Sequence, residues 1–443
     1  MKNLTEPHAM SLLPDDDCLR IELHNEVHAR PTAEVLLPSL VTYVAVLNSD
    51  VSRFQELCHL RDLPGQSQLG MSDLEGNFLR IECGNCTLKW ERHTEFTRYS
   101  IVQDLPAHAA LGAREPDLSH FHGLSESWLG SIPGRTVAAI QMAMVSSELS
   151  NVDSLMRSAQ TWMGENALVA SQIGRGHSWC VTDFKIRADG FERILVIAPE
   201  STSAARAGRT SQRLLELETY RLMALRGLPV AKVLGPLLAA AETELAGITA
   251  RMGGTETSDQ TLLDTLVGLA ARIERATAEH SYRFSATQAY YSLVNQRIVE
   301  LREMPIPGTQ TIGEFMQRRL SPAMATVAAA EKRLASLSER VSRNSALLRT
   351  RVDITTEMQN QQLLEKLTRG QEMQLRLQST VEGLSIAAIS YYVISLALYG
   401  GKALKAAGLP INPELVAGAL VPLVLWSVWQ TIRRIHAKLN DSH

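Results

Sequence analysis

The sequence predicts an α+β cytosolic domain followed by a mostly helical region, a very long stalk helix and a C-terminal two-helix transmembrane hairpin. Three observations carry this expectation. Between Pro38 and Pro199, short β-rich runs are mixed with helical ones. Between Pro322 and Pro410 there is no proline, and Gly370 is the only glycine before Gly383. Two late runs, "GLSIAAISYYVISLALYGG" (383–401) and "LVAGALVPLVLWSVWQTI" (415–432), carry no charge. The expected division is 1–204 α+β domain, 205–322 helical layer, 323–382 stalk, 383–401 first span, 402–414 short loop, 415–432 second span and 433–443 basic tail.

In the first domain, "SLVTYVAVLN" is rich in β-formers, and "DVSRFQELCHL" follows as a helix with Asp50 placed to cap it. "FLRIECGNCTLKWERH" reads as a hairpin turning on Gly84-Asn85. "RTVAAIQMAMV" is a strand and "LMRSAQTWM" a short helix. "NALVASQIG", "SWCVTDFKI" and "FERILVIAP" are three more strands. From Arg209 to Pro305 helical patterns dominate, punctuated by Pro229 and Pro305. A continuous helix from Ala323 to Tyr399 would span roughly 110 Å and needs partners, from its own chain or from other copies.

Each late apolar run matches the ~20 residues that cross ~30 Å of hydrocarbon as a helix. Trp426 and Trp429 precede Arg433, Arg434 and Lys438, the aromatic-then-basic order of a cytoplasmic interface, and Tyr399 falls at the opposite one. The N-terminus lacks the apolar run of a secretory signal, and five cysteines are an odd set that reads as reduced thiols. The expected setting is therefore a bacterial inner membrane, multi-pass, with both termini cytoplasmic. A net charge of -3 and 5% aromatic residues argue against a nucleic-acid partner; the expected partners are the lipid bilayer, further copies of the chain and an inorganic ion.

Several stretches could carry chemistry. In "LHNEVHARP", His24, Glu26 and His28 would share one face of a strand and suit a metal. As a helix the histidines stay together while Glu26 turns away, and Asp15–Asp17 before it and Pro31 after it fit helix ends. The helix, with a structural Arg30–Glu26 network, is the preferred reading. Cys83-Gly-Asn-Cys86 has no second pair at zinc-ribbon spacing, and "GRGHSW" lacks a phosphate loop's context. "WERHTEF" puts Glu91, Arg92, His93 and Glu95 close together, which is either a carboxylate-oriented histidine or a cross-strand ion-pair ladder. No nucleophile or oxyanion feature accompanies it, and no cofactor is indicated.

The long helix carries a further pattern. At heptad spacing, Tyr399, Ser395, Tyr392 and Ser385 form a small, hydroxylic stripe in the span, and Gln378, Asn360 and Asp353 continue it below. Polar side chains inside a bilayer face protein or water. Around an axis of several copies this stripe, with Gly400 at its end, would line a pore. Packing through small residues is the competing reading.

"NEVHARP", "WERHTEF", "QRLLELETYR", "EFMQRRLSPAM", "LLRTRVD" and "VEGLSIAAISYYV" resemble a bacterial family of uncharacterised, membrane-anchored proteins, a likeness that implies topology and no activity. The architecture is similar to CorA-type divalent-cation transporters, which implies a homopentamer with the stalk helix lining the pore. That family ends its first span in Tyr-Gly-Met-Asn; Tyr399 and Gly400 match, whereas Gly401 and Lys402 stand where methionine and asparagine belong. The asparagine helps select a hydrated cation, and Lys402 and Lys405 repel divalent cations. The expected function is a homo-oligomeric ion channel or transporter of unknown ion. The alternatives are a membrane-anchored scaffold or sensor and, third, a metal-dependent enzyme using His24, His28 and His93.

Overall fold

The computed structural model describes residues 17–20, 23, 34–119, 124–254, 258–408 and 412–440, with backbone alone at 432 and 434–440. "LHNEVHARP" lies outside these residues except for Leu23. The chain divides into two compact units, residues 1–254 with 265–344, and residues 255–264 with 345–443.

The first unit is built on a sheet. Strand β1 (Ser39–Leu47) is buried along nearly its whole length, as a strand covered on both faces must be. Helix α1 (Arg53–Arg61) begins at Ser52, whose hydroxyl accepts from Gln55 N while the Gln55 side chain accepts from Ser52 N. This capping box corrects the expectation of Asp50: three residues beyond Asp50 stands Arg53, which cannot return the bond. Strands β2 (Phe78–Cys83) and β3 (Cys86–Arg92) form the expected hairpin, with Gly84 at φ 59°. Strand β4 (Phe96–Asp104), which the sequence reading does not assign, pairs with both β3 and β1. After α2 (Glu126–Gly130) come β5 (Arg135–Ser146), α3 (Val152–Met163), β6 (Val169–Ile173), β7 (Ser178–Ile186) and β8 (Glu192–Ala198).

With β9 (Met304–Pro305) these strands make one nine-stranded sheet in the order β2-β3-β4-β1-β5-β8-β7-β6-β9. Two βαβββ runs thus lie mirror-fashion about the β1–β5 pair. Their polarities differ, because β1 and β4 are antiparallel whereas β5 and β8 are parallel. One face packs Val44, Trp90 and Tyr99 beneath α1 and α2. Further along, the same face packs Ala143, Trp179 and Leu195 against Trp162 of α3. The N-terminal part is therefore an α/β domain.

The opposite face of the sheet meets α4 (Ala204–Leu225), where the Tyr43 hydroxyl and Thr219 Oγ1 are 2.7 Å apart. Helices α5 (Gly227–Arg251), α6 (Asp259–Leu301) and α7 (Ile312–Arg319) follow. Helix α8 then runs unbroken over 86 residues, Ser321–Ala406, and α9 covers Pro413–Asn440. Its continuity follows from a stretch without an interior proline and with few glycines.

Among the described residues, three helical stretches could cross a membrane by length and composition: 204–251, 312–406 and 413–431. A third of the apolar window of the first is buried inside the protein, against 6% in each of the others.

Candidate functional site

The "WERHTEF" charges resolve into ion pairs with partners from distant parts of the chain. Alternation on β3 sends Glu91 to the α4 face and Arg92 to the α1 face. Glu91 sits opposite Arg98 of β4 and pairs with it, and Lys89 Nζ lies 3.3 Å from the other carboxylate oxygen. Arg98 Nη1 continues to Glu216 of α4 at 3.2 Å, and Glu216 to Arg297 of α6 at 2.7 Å. Arg297 bonds Glu300 at 2.7 Å, which lies 3.4 Å from Arg213. On the other face, Arg92 bonds Glu56 of α1 at 2.6 Å, and Thr97 donates to the second Glu56 oxygen. Glu95 takes Arg283 of α6 at 2.9 Å. These contacts form an ion-pair ladder that is wider than β3 and β4 alone.

Burial alone would push the Glu91 carboxyl up; Arg98, hydrogen-bonded to it, and Lys89 overcome that and hold it below its ordinary value. Glu216 is held down in the same way, by Arg98, Gln212 and Arg297 against the effect of burial. A pair this deep, once broken by removing one partner, costs about 3–5 kcal/mol. Such a network fixes how α4 and α6 seat on the sheet. His93 stacks on Phe96 with ring centroids 4.6 Å apart. Two other groups are displaced from their ordinary values. Burial, then the neighbouring Glu218, raises Glu192 to about 9, and burial against Trp128 lowers His59 to about 4.

Cys83 and Cys86 face each other across the hairpin turn as buried free thiols, Cys86 Sγ lying 3.2 Å from Cys83 O. Among the described residues no group of three or more His, Cys, Asp or Glu side chains could hold a metal. The candidates His24, Glu26 and His28 lie outside those residues.

The stripe on α8 is within the second unit. Asp353, Asn360, Gln378, Tyr392, Tyr399 and Gly400 are exposed, and Ser385 and Ser395 are half-buried. The buried residue of the first apolar run is Ser390, at 2% exposure, and that of the second is Ala417 at 7%. At the turn the two helices touch: a Cβ added at Gly401 would lie 3.4 Å from Pro413 Cβ. Tyr399 is nine residues beyond Ser390, roughly two and a half turns on, so it lies on the opposite side of the helix. Tyr392 shares the Tyr399 side. The sequence stripe and the covered face are therefore separate, and Ser390 escaped notice because its heptad position differs from the stripe's.

One protein-family model, described as a protein of unknown function (DUF3422), matches residues 15–439, nearly the whole chain. No curated protein and no solved structure matches it.

Proposed function

We propose for this chain, which belongs to the DUF3422 family, the role of a membrane-embedded homo-oligomer of CorA-like build that passes an inorganic ion along an axis lined by α8. The supporting observation is the placement of Tyr392 and Tyr399 on the side of the first apolar run opposite buried Ser390. In a lone hairpin those two side chains would face lipid, Tyr392 near the middle of the hydrocarbon, where a hydroxyl without a partner costs several kcal/mol, on the order of 2–7. Copies arranged about an axis bring the hydroxyls together or to water and leave α9 outside. Ser385, Ser395 and Gly400 join them within the span, and Gln378, Asn360 and Asp353 continue the path below it.

Lys402 Nζ lies 5.9 Å from the centroid of the Tyr399 ring, so the mouth of such a path is positive. This charge disfavours divalent cations and turns the expectation to monovalent ions.

The test joins two measurements on the full-length protein. Native mass spectrometry in detergent should give one closed oligomer of four or more copies, with five expected for the CorA-like build. In liposomes, chloride or potassium flux should exceed magnesium flux, and the Tyr399→Ala/Ser395→Ala double variant should change conductance or selectivity. A monomer or dimer leaves no room for the path, and the hairpin is then the anchor of a scaffold or sensor.

A further inference from the structure

A cavity of about 280 Å³ opens beside the first turns of α4, and its walls are basic. Arg206, Arg209 and Arg213 reach it from α4, and Arg302 from the segment after α6. The only carboxylate in the lining is Glu300, already engaged by Arg297 at 2.7 Å and by Arg213 at 3.4 Å. Among the described residues, Arg206, Arg209 and Arg302 have no carboxylate within ion-pair distance. Four guanidiniums less one carboxylate leave the cavity with a formal charge of +3.

We propose that this cavity is a binding site for a small ligand carrying a phosphate or diphosphate group. Like charges gathered beside one opening repel. Here arginines from two separate elements line one cavity. A phosphate supplies the missing negative charge, and its oxygens match the guanidinium fork two at a time. The first turn of α4 carries no acidic residue, which leaves the positive end of its dipole free to add to the field.

Arg175 and Arg302 both take left-handed conformations, at φ 62° and 48°, and are tied together by Arg175 N donating to Arg302 O at 3.2 Å. A non-glycine residue in that region is strained, and such strain clusters at functional sites. Beside them, a Cβ added at Gly174 would come 3.6 Å from Arg206 Nη2, so the loop backbone lies against the guanidinium. Arg213 also joins the cavity to the buried chain of ion pairs through Glu300 and Arg297, which gives an occupied site a route to Glu216 and Arg98.

The experiment uses full-length protein in detergent or nanodiscs and titrates inorganic pyrophosphate by calorimetry. A second arm measures co-sedimentation with vesicles of anionic phospholipid against vesicles of phosphatidylcholine alone. The expected result is saturable binding of one pyrophosphate per chain. It should weaken at least tenfold in Arg206→Gln/Arg209→Gln and be unchanged in Arg80→Gln, an exposed arginine on β2 at the opposite edge of the sheet. Because Arg206 and Arg209 are exposed, the double variant should melt with the parent. Binding confined to anionic vesicles and lost in the double variant keeps the site and assigns the phosphate to a lipid headgroup. Absence of saturable binding in both arms, or equal affinity in parent and double variant, overturns the proposal. Neither outcome depends on oligomer size or ion flux.

Discussion

Glu192 holds a proton in the folded protein at pH values where an ordinary carboxyl has lost it. Its side chain is buried against Glu218, with Arg221 Nη2 3.6 Å away and more closely bound to Glu218. A folded value of about 9 against roughly 4.3 in the unfolded chain means the folded state binds more protons between those limits. The associated stability is complete below about pH 4 and is lost as pH rises toward 9. Glu192→Gln cannot ionise, so its melting temperature should fall less than the parent's between pH 5 and 9; parallel curves would refute the assignment. His59 works in the opposite sense, its burial favouring the folded state above about pH 6.5 and less so as pH falls toward 4. At this scale the sequence showed that Glu91, Arg92, His93 and Glu95 lie close together, although His93 and Glu95 fall between β3 and β4 and not on a strand. It could not show Glu56, Glu216 or Arg283 as their partners, since those arrive from helices whose seating depends on the whole layer.

Among the elements, the approach of β5 to β1 is set by a single glycine. Gly134 has φ 121°, and a Cβ there would fall 2.5 Å from Leu47 O. Gly134→Ala should destabilise the protein by more than about 1 kcal/mol, since both the backbone conformation and the contact oppose it. Gly190→Ala is the comparison: φ is 86°, but nothing lies within 4 Å of the added Cβ. Denaturant unfolding of the two variants separates the strain from the clash, and equal losses would show that the close approach carries no weight. The hairpin at Gly84-Asn85 and the strands β1 and β5 to β8 were legible because turn residues and β-branched runs are local signals. The capping residue was misplaced by two positions, and β4 and the parallel β5–β8 pairing were not legible, since pairing joins residues far apart in the chain.

For the whole molecule, the decisive question is which side of α8 meets another copy. Tyr399→Cys should form cross-linked dimers with a short thiol-reactive linker, above the background set by exposed Cys18 and Cys58 in the parent. Ser390→Cys, on the covered side, should not exceed that background. If the two variants cross-link alike, the polar stripe has no privileged place in the assembly. The length of α8 and the two apolar runs were readable from proline, glycine and charge alone. The separation of the stripe from the Ser390 side was not, because a heptad count marks equivalent positions without saying what covers them.

The β1–β5 pair at the middle of the sheet has a consequence for how the chain is made. Residues Ser39–Leu47 find one neighbour in β4, but their other edge stays open until Arg135–Ser146 has been synthesised. An open, apolar strand edge recruits other strands, including those of neighbouring nascent chains. During translation the first half is thus a four-stranded piece with a sticky margin, and its closure waits for the residues from Leu105 to Ser146 to emerge. The longer the ribosome takes over that interval, the longer the margin stays open to such pairing.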